Sequence, residues 1–118
     1  VDPRYEGFFR KVEDIRTFVG HPIIVALGGG CRCLKYEHHY HPAILLSPHS
    51  ICAIDLTLKN AGEVDITVEW ITAIYPELRV GWKQYREAGQ TFIHVDEAQI
   101  FVPPIPGIEH DWVDGARW

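Results

Sequence analysis

Tyr5, Phe8, Phe9, Val12, Ile15 and Phe18 recur at three- and four-residue steps. That spacing lines them up on one stripe of an amphipathic α-helix. A helix of this kind has to bury its stripe against a core that the rest of the chain supplies. Asp2-Pro3 reads as the start, with Asp as N-cap and Pro at the first helical position, where its missing N–H costs nothing. Gly20 supplies the stop.

Beyond the helix, His21-Pro22 opens a new element, and Ile23-Ile24-Val25-Ala26-Leu27 is a continuous apolar run that predicts a buried strand. Gly28-Gly29-Gly30 breaks the run. It is not a phosphate loop, because no Lys-Ser/Thr follows and no helical pattern opens after it. Residues 31–47 are irregular and polar, turning apolar at Ile44-Leu45-Leu46. Ser50 to Leu58 predicts a strand with Ala53, Asp55 and Thr57 on one face and Ile54, Leu56 and Leu58 on the other. Asn60-Ala61-Gly62 is a turn. Asp65 is the expected cap of a second helix carrying Val68, Ile71 and Ile74, which Pro76 ends. Strands are predicted around Arg79–Tyr85 and Thr91–Glu97, joined through Glu87-Ala88-Gly89. This order predicts an α+β fold: a small single domain with a mostly antiparallel sheet and two helices. Residues 1–102 form the domain. Residues 103–118 form a Pro/Gly-rich C-terminal tail, read either as a packed-down loop or as a flexible arm.

The chain has 118 residues, 47% of them hydrophobic, which suits one core and leaves no room for two catalytic domains. The net charge of −5 argues against a nucleic-acid partner, which needs clustered cations. No apolar run approaches the ~20 residues of a membrane span. The absence of Met, even at position 1, predicts a processed or excised segment. Cys31, Cys33 and Cys52 are odd in number, so they cannot all pair within the chain. One bridge from Cys52 to either partner and three reduced thiols both remain open.

Seven histidines direct the search for chemistry, since His is the commonest protein metal ligand. His49, in Ser47-Pro48-His49, together with Asp55 and His94 makes two imidazoles and one carboxylate, a common catalytic zinc set with a fourth position left for water. Such a metal polarises a carbonyl and brings its water towards a pKa of ~7. His94 and Asp96 share one strand face. The same residues also read as ordinary surface or core-edge side chains. A second candidate is a structural zinc at Cys31, Cys33 and the His38, His39, His41 cluster. Its Cys spacing is shorter than usual, and the alternative is a polar loop at the mouth of the site. Trp70, Trp82, Trp112 and Trp118 raise the prospect of a glycan-stacking platform. Trp70 sits in a helical pattern and reads as core, which leaves Trp112 and Trp118 as the freer candidates.

Four segments resemble the zinc D-alanyl-D-alanine peptidases, the family of D,D-carboxypeptidases, murein endopeptidases and phage endolysins that shares its metal-site fold with the hedgehog signalling domain. Val12–Gly20 followed by Pro22-Ile23-Ile24-Val25 is similar to the family's helix, Gly-x-Pro and strand. Gly30-Cys31-Arg32 resembles its Ser-Gly-Tyr-Arg turn, and Ser47-Pro48-His49 with Ala53-Ile54-Asp55-Leu56 resembles Ser-x-His-x-x-Gly-x-Ala-x-Asp-Leu. Val80-Gly81-Trp82 with Phe92-Ile93-His94-Val95-Asp96 resembles the closing Gly-x-Gly-x-Tyr and Phe-x-His-x-Asp segment, the most specific of the four.

The resemblance implies His49, Asp55 and His94 as zinc ligands and Arg32 as the group that orients the substrate. Asp96 then hydrogen-bonds a ligand or accepts a proton. The implied activity is hydrolysis of peptidoglycan stem-peptide amide bonds next to a D-amino acid. The implied setting is the bacterial cell envelope or a phage, either released by lysis or carried on the virion. The sequence departs from the family in two places. His49 and Asp55 stand six residues apart, one fewer than in the family, and Cys52 lies nearest the position of the intervening family glycine. Thr91 and Phe92 occupy positions where many members carry a Glu or His base. These departures frame the alternative expectation, a catalytically inactive peptidase-like binding or structural module such as a virion component.

Overall fold

The computed structural model describes residues 3–25, 53–97 and 113–118, with side chains from residue 6 onward. Among the described residues there are three helices and a four-stranded sheet in the order helix α1 (Pro3–Val19), strand β1 (Ile24–Val25), β2 (Ala53–Thr57), α2 (Ala61–Ile74), β3 (Arg79–Gly81), α3 (Lys83–Glu87) and β4 (Phe92–Asp96). The sheet runs β1-β2-β4-β3, and each pairing within it is antiparallel. The domain is therefore α+β.

Helix α1 begins at Pro3 as expected, and Gly20 ends it in the left-handed region at φ 79°, its N–H donating to the Arg16 carbonyl at 3.1 Å. Phe8 and Ile15 are fully buried, with Val12 and Val19 packed beside them. The predicted stripe is narrower than drawn: Phe9 and Phe18 lie off it and stay partly exposed. Phe18 instead stacks on Trp70 of α2, with ring centroids 4.8 Å apart. Tyr5 and the expected cap Asp2 lie outside the described side chains.

The buried strand expected at residues 23–27 is different in its described part. Ile23 packs on the core, but Ile24 and Val25 are 71% and 44% exposed. Among the described residues β1 stands at the end of the strand order, with β2 beside it. Helix α2 starts earlier than Asp65 predicts. Asn60 caps it by accepting the Glu63 N–H at 2.8 Å, and Glu63 reaches back to the Lys59 N–H at 3.0 Å. Asp65 instead pairs with Arg86 at 2.6 Å. Pro76 follows the C-cap Tyr75, as expected.

The strand expected over Arg79–Tyr85 stops at Gly81, and the residues after Trp82 form α3. Lys, Gln, Arg and Glu favour a helix. The N–H groups of Trp82 and Lys83 are taken by the main-chain oxygen of Trp118 at 2.7 and 3.1 Å rather than by a sheet ladder. Residues 113–118 are packed down beside β3. Val80 pairs in parallel with Arg117, its N–H donating to the Ala116 carbonyl at 2.9 Å and its carbonyl accepting the Trp118 N–H at 3.2 Å.

One face of the sheet carries Leu56, Val80, Ile93 and Val95, which join Phe8, Ile15, Val64, Val68, Ile71 and Leu78 in a single core. Because strand side chains alternate, Asp55, His94, Asp96, Arg79 and Gly81 fall together on the opposite face. No helix among the described residues is long and apolar enough to cross a membrane.

Candidate functional site

Cross-strand register sets the site. Asp55 lies directly opposite His94, which lies directly opposite Gly81. In the next row, Ala53 faces Asp96 and Asp96 faces Arg79. Directly opposed residues hold their side chains within reach of each other. Register alone therefore brings an imidazole, two carboxylates and a guanidinium together.

The His94 ring lies between the two carboxylates. Its Nδ1 is 2.9 Å from Asp55 Oδ1, and its Nε2 is 2.6 Å from Asp96 Oδ2. Arg79 Nε stands 3.3 Å from the other Asp96 oxygen. Asp96 is fully buried, the His94 and Arg79 side chains are nearly so, and Asp55 is the most open of the four at 17%. Burial alone pulls the imidazolium of His94 down. The hydrogen bonds and charges of Asp55 and Asp96 outweigh it and push the His94 pKa up to about 8. With a carboxylate oxygen at each ring nitrogen, the protonated ring can donate from both nitrogens, and this favours the charged form.

The Trp118 indole closes one end of this array. It lies on Gly81 so closely that a Cβ there would stand 2.6 Å from its ring. Its centroid is 5.6 Å from that of His94, and the Arg79 guanidinium carbon is 4.9 Å from it. Such a guanidinium-over-indole contact is attractive in its own right.

Of the sequence candidates, Asp55, His94 and Asp96 are brought together. His49, Arg32, Cys31, Cys33, His38, His39, His41, Cys52 and Trp112 lie outside the described residues. Trp70 and Trp82 pack against the core. Thr91 and Phe92, at the positions of the family's base, are engaged elsewhere: the Thr91 hydroxyl donates to the Leu58 carbonyl at 2.8 Å, and the Phe92 ring meets Tyr85 edge-on.

Sequence reasoning missed the places of Arg79 and of the Gly81–Trp118 contact. The available signal was a glycine inside a strand, which marks a close approach by another group.

Among the described residues, no group of three or more His, Cys, Asp or Glu side chains is arranged to hold a metal ion. Asp55 Oδ1 and His94 Nδ1 supply two converging donors, and Asp96 sits on the far ring nitrogen. That division matches metal-binding histidines, which bind through one nitrogen and give the other N–H to a carboxylate. The donor types suit zinc, and a third ligand has to come from beyond the described residues. No protein-family model, curated protein or solved structure matches the chain.

Proposed function

We propose that the chain is a zinc-dependent peptidase domain of the D-alanyl-D-alanine peptidase type, built on a hedgehog-like scaffold and acting on peptidoglycan stem peptides at the cell envelope. The observation that carries the reading is the direct pairing of Asp55 with His94, Oδ1 to Nδ1 at 2.9 Å, with Asp96 on the opposite ring nitrogen. His49, Asp55 and His94 would hold the zinc. Zinc bound there supplies a Lewis acid and a water acidic enough to attack an amide at neutral pH. Asp96 accepts the Nε2–H of His94 and so fixes which nitrogen faces Asp55. Arg79 pairs with Asp96 and restrains it in turn. Arg32, permanently charged and forked, would take the substrate carboxylate or carbonyl.

The test is hydrolysis of a peptide ending in D-alanyl-D-alanine, and of isolated peptidoglycan, by zinc-loaded protein. New amino groups that appear with zinc and vanish with a chelator support the proposal. No release from either substrate with zinc bound rejects it.

Two observations favour a second reading, an inactive binding or structural module. Both nitrogens of His94 already face carboxylates, and neither Thr91 nor Phe92 provides an acid or base. On that reading the array is a buried ion cluster that holds β2 to β4. The protein would then serve as a binding or structural module, such as a virion component, without cleaving peptidoglycan.

A further inference from the structure

We propose that Trp118 is a positioning residue for His94: its indole, seated on Gly81, holds the imidazole and the Arg79 guanidinium where Asp96 bonds Nε2 and Nδ1 turns to Asp55. The inference deepens the proposed function and rests on it for its catalytic meaning. The contacts of the indole with Gly81, His94 and Arg79 do not depend on that reading.

Three observations carry it. Gly81 is the direct cross-strand partner of His94, so the space its missing side chain leaves lies beside the imidazole. The indole fills that space, with Cε2, Cζ2 and Nε1 at 2.6, 2.8 and 2.8 Å from where a Cβ would stand. The main chain that carries the ring is also held in place. The Trp118 main chain is pinned by its N–H to Val80 O at 3.2 Å and by the Trp82 and Lys83 N–H groups on its oxygen.

The consequence is chemical as well as steric. The indole lies against two of the groups that pair with Asp96, meeting His94 at 5.6 Å between centroids and Arg79 at 4.9 Å. Asp96 is fully buried, and buried polar contacts are strongest where water is excluded. Without it, the imidazole gains room to rotate away from the Asp55 side.

The experiment uses the whole metal-free chain and reads the ring N–H protons of His94 by NMR. The probes are Trp118→Leu, which keeps apolar volume but loses the flat face, and Gly81→Ala, which displaces the indole from the opposite side. Val113→Ala, an exposed position in the same segment, is the control. Trp118→Phe is the conservative rescue. The parent and Val113→Ala are expected to show a slowly exchanging, downfield Nε2–H signal. Trp118→Leu and Gly81→Ala should each speed its exchange at least tenfold, the double variant no further than either single one, and Trp118→Phe should restore part of the protection. Either disrupting variant decides the matter if the other fails to fold.

Unchanged exchange in a folded Trp118→Leu or Gly81→Ala protein overturns the inference. In a zinc titration of the same proteins, the disrupting variants should bind about 10–100-fold more weakly, as when an outer partner of a metal ligand is lost. If the parent itself takes up no zinc, the peptidase proposal fails while the NMR result still decides the role of Trp118.

Discussion

Asp55 and His94 stand directly opposite each other on β2 and β4, with Oδ1 and Nδ1 2.9 Å apart on the sheet face turned away from the hydrophobic core. The pairing needs no loop to create it. Two strands in antiparallel register and a side-chain period of two put a carboxylate and an imidazole side by side. Asp96 lies on the same face two residues on from His94 and takes the other ring nitrogen.

Asp96→Asn keeps the shape of that second partner and removes its charge. Arg79 and His94 are then left as buried cations with less compensation. Breaking a buried pair from one side costs about 3 kcal/mol or more. Urea unfolding of the metal-free protein should show a loss of this size, and the His94 pKa should fall below its value of about 8.

The pH dependence of the metal-free protein follows from the same array. The folded His94 pKa, about 8, lies above the ordinary value of 6.5. The stabilisation from its pairing is therefore complete below the unfolded pKa and is lost as pH rises through the folded one. Unfolding free energy should decline between about pH 6.5 and pH 8. In His94→Gln this decline should be absent, which parallel denaturant series at stepped pH would show.

At the acid end the sign reverses. Burial raises the Glu63 carboxyl, but the Lys59 N–H and His21 lower it further, so the net shift is downward. That contribution is present above the unfolded pKa and lost as pH falls through the lower, folded one. The stability advantage of the parent over Glu63→Gln should therefore shrink below about pH 4.3, the ordinary Glu value.

The cap at the start of α2 gives a separate check. Asn60 Oδ1 accepts the Glu63 N–H, one of the donors a helix start leaves open. Asn60→Ala should cost about 1 kcal/mol, read as a drop in the urea midpoint with unchanged slope.

The periodic elements were legible in the sequence because their signal is local. The three- and four-residue apolar steps mark α1, with Pro3 and Gly20 at its ends, and Pro76 marks the end of α2. The alternation in Ala53–Thr57 and Phe92–Asp96 places Asp55, His94 and Asp96 on one face each. What resisted reading depends on distant partners. The Ile24–Val25 run looks buried until its place at the end of the described strand order is known. Lys83–Glu87 looks like the continuation of a strand until Trp118 takes the N–H groups that a ladder would use. Asp65 is as good a cap as Asn60 by residue type, and the choice was made by Glu63 reaching back to Lys59. Within the site, no local pattern announces that Trp118 fills the space above Gly81.

The most direct test of the central claim is the zinc content of the purified chain, set beside Asp55→Ala and His94→Ala. About one zinc per chain is expected, as for a site of this ligand type, falling to background in both variants while they remain folded. A folded parent that binds no zinc when it is supplied, or zinc retained undiminished in either variant, would contradict it.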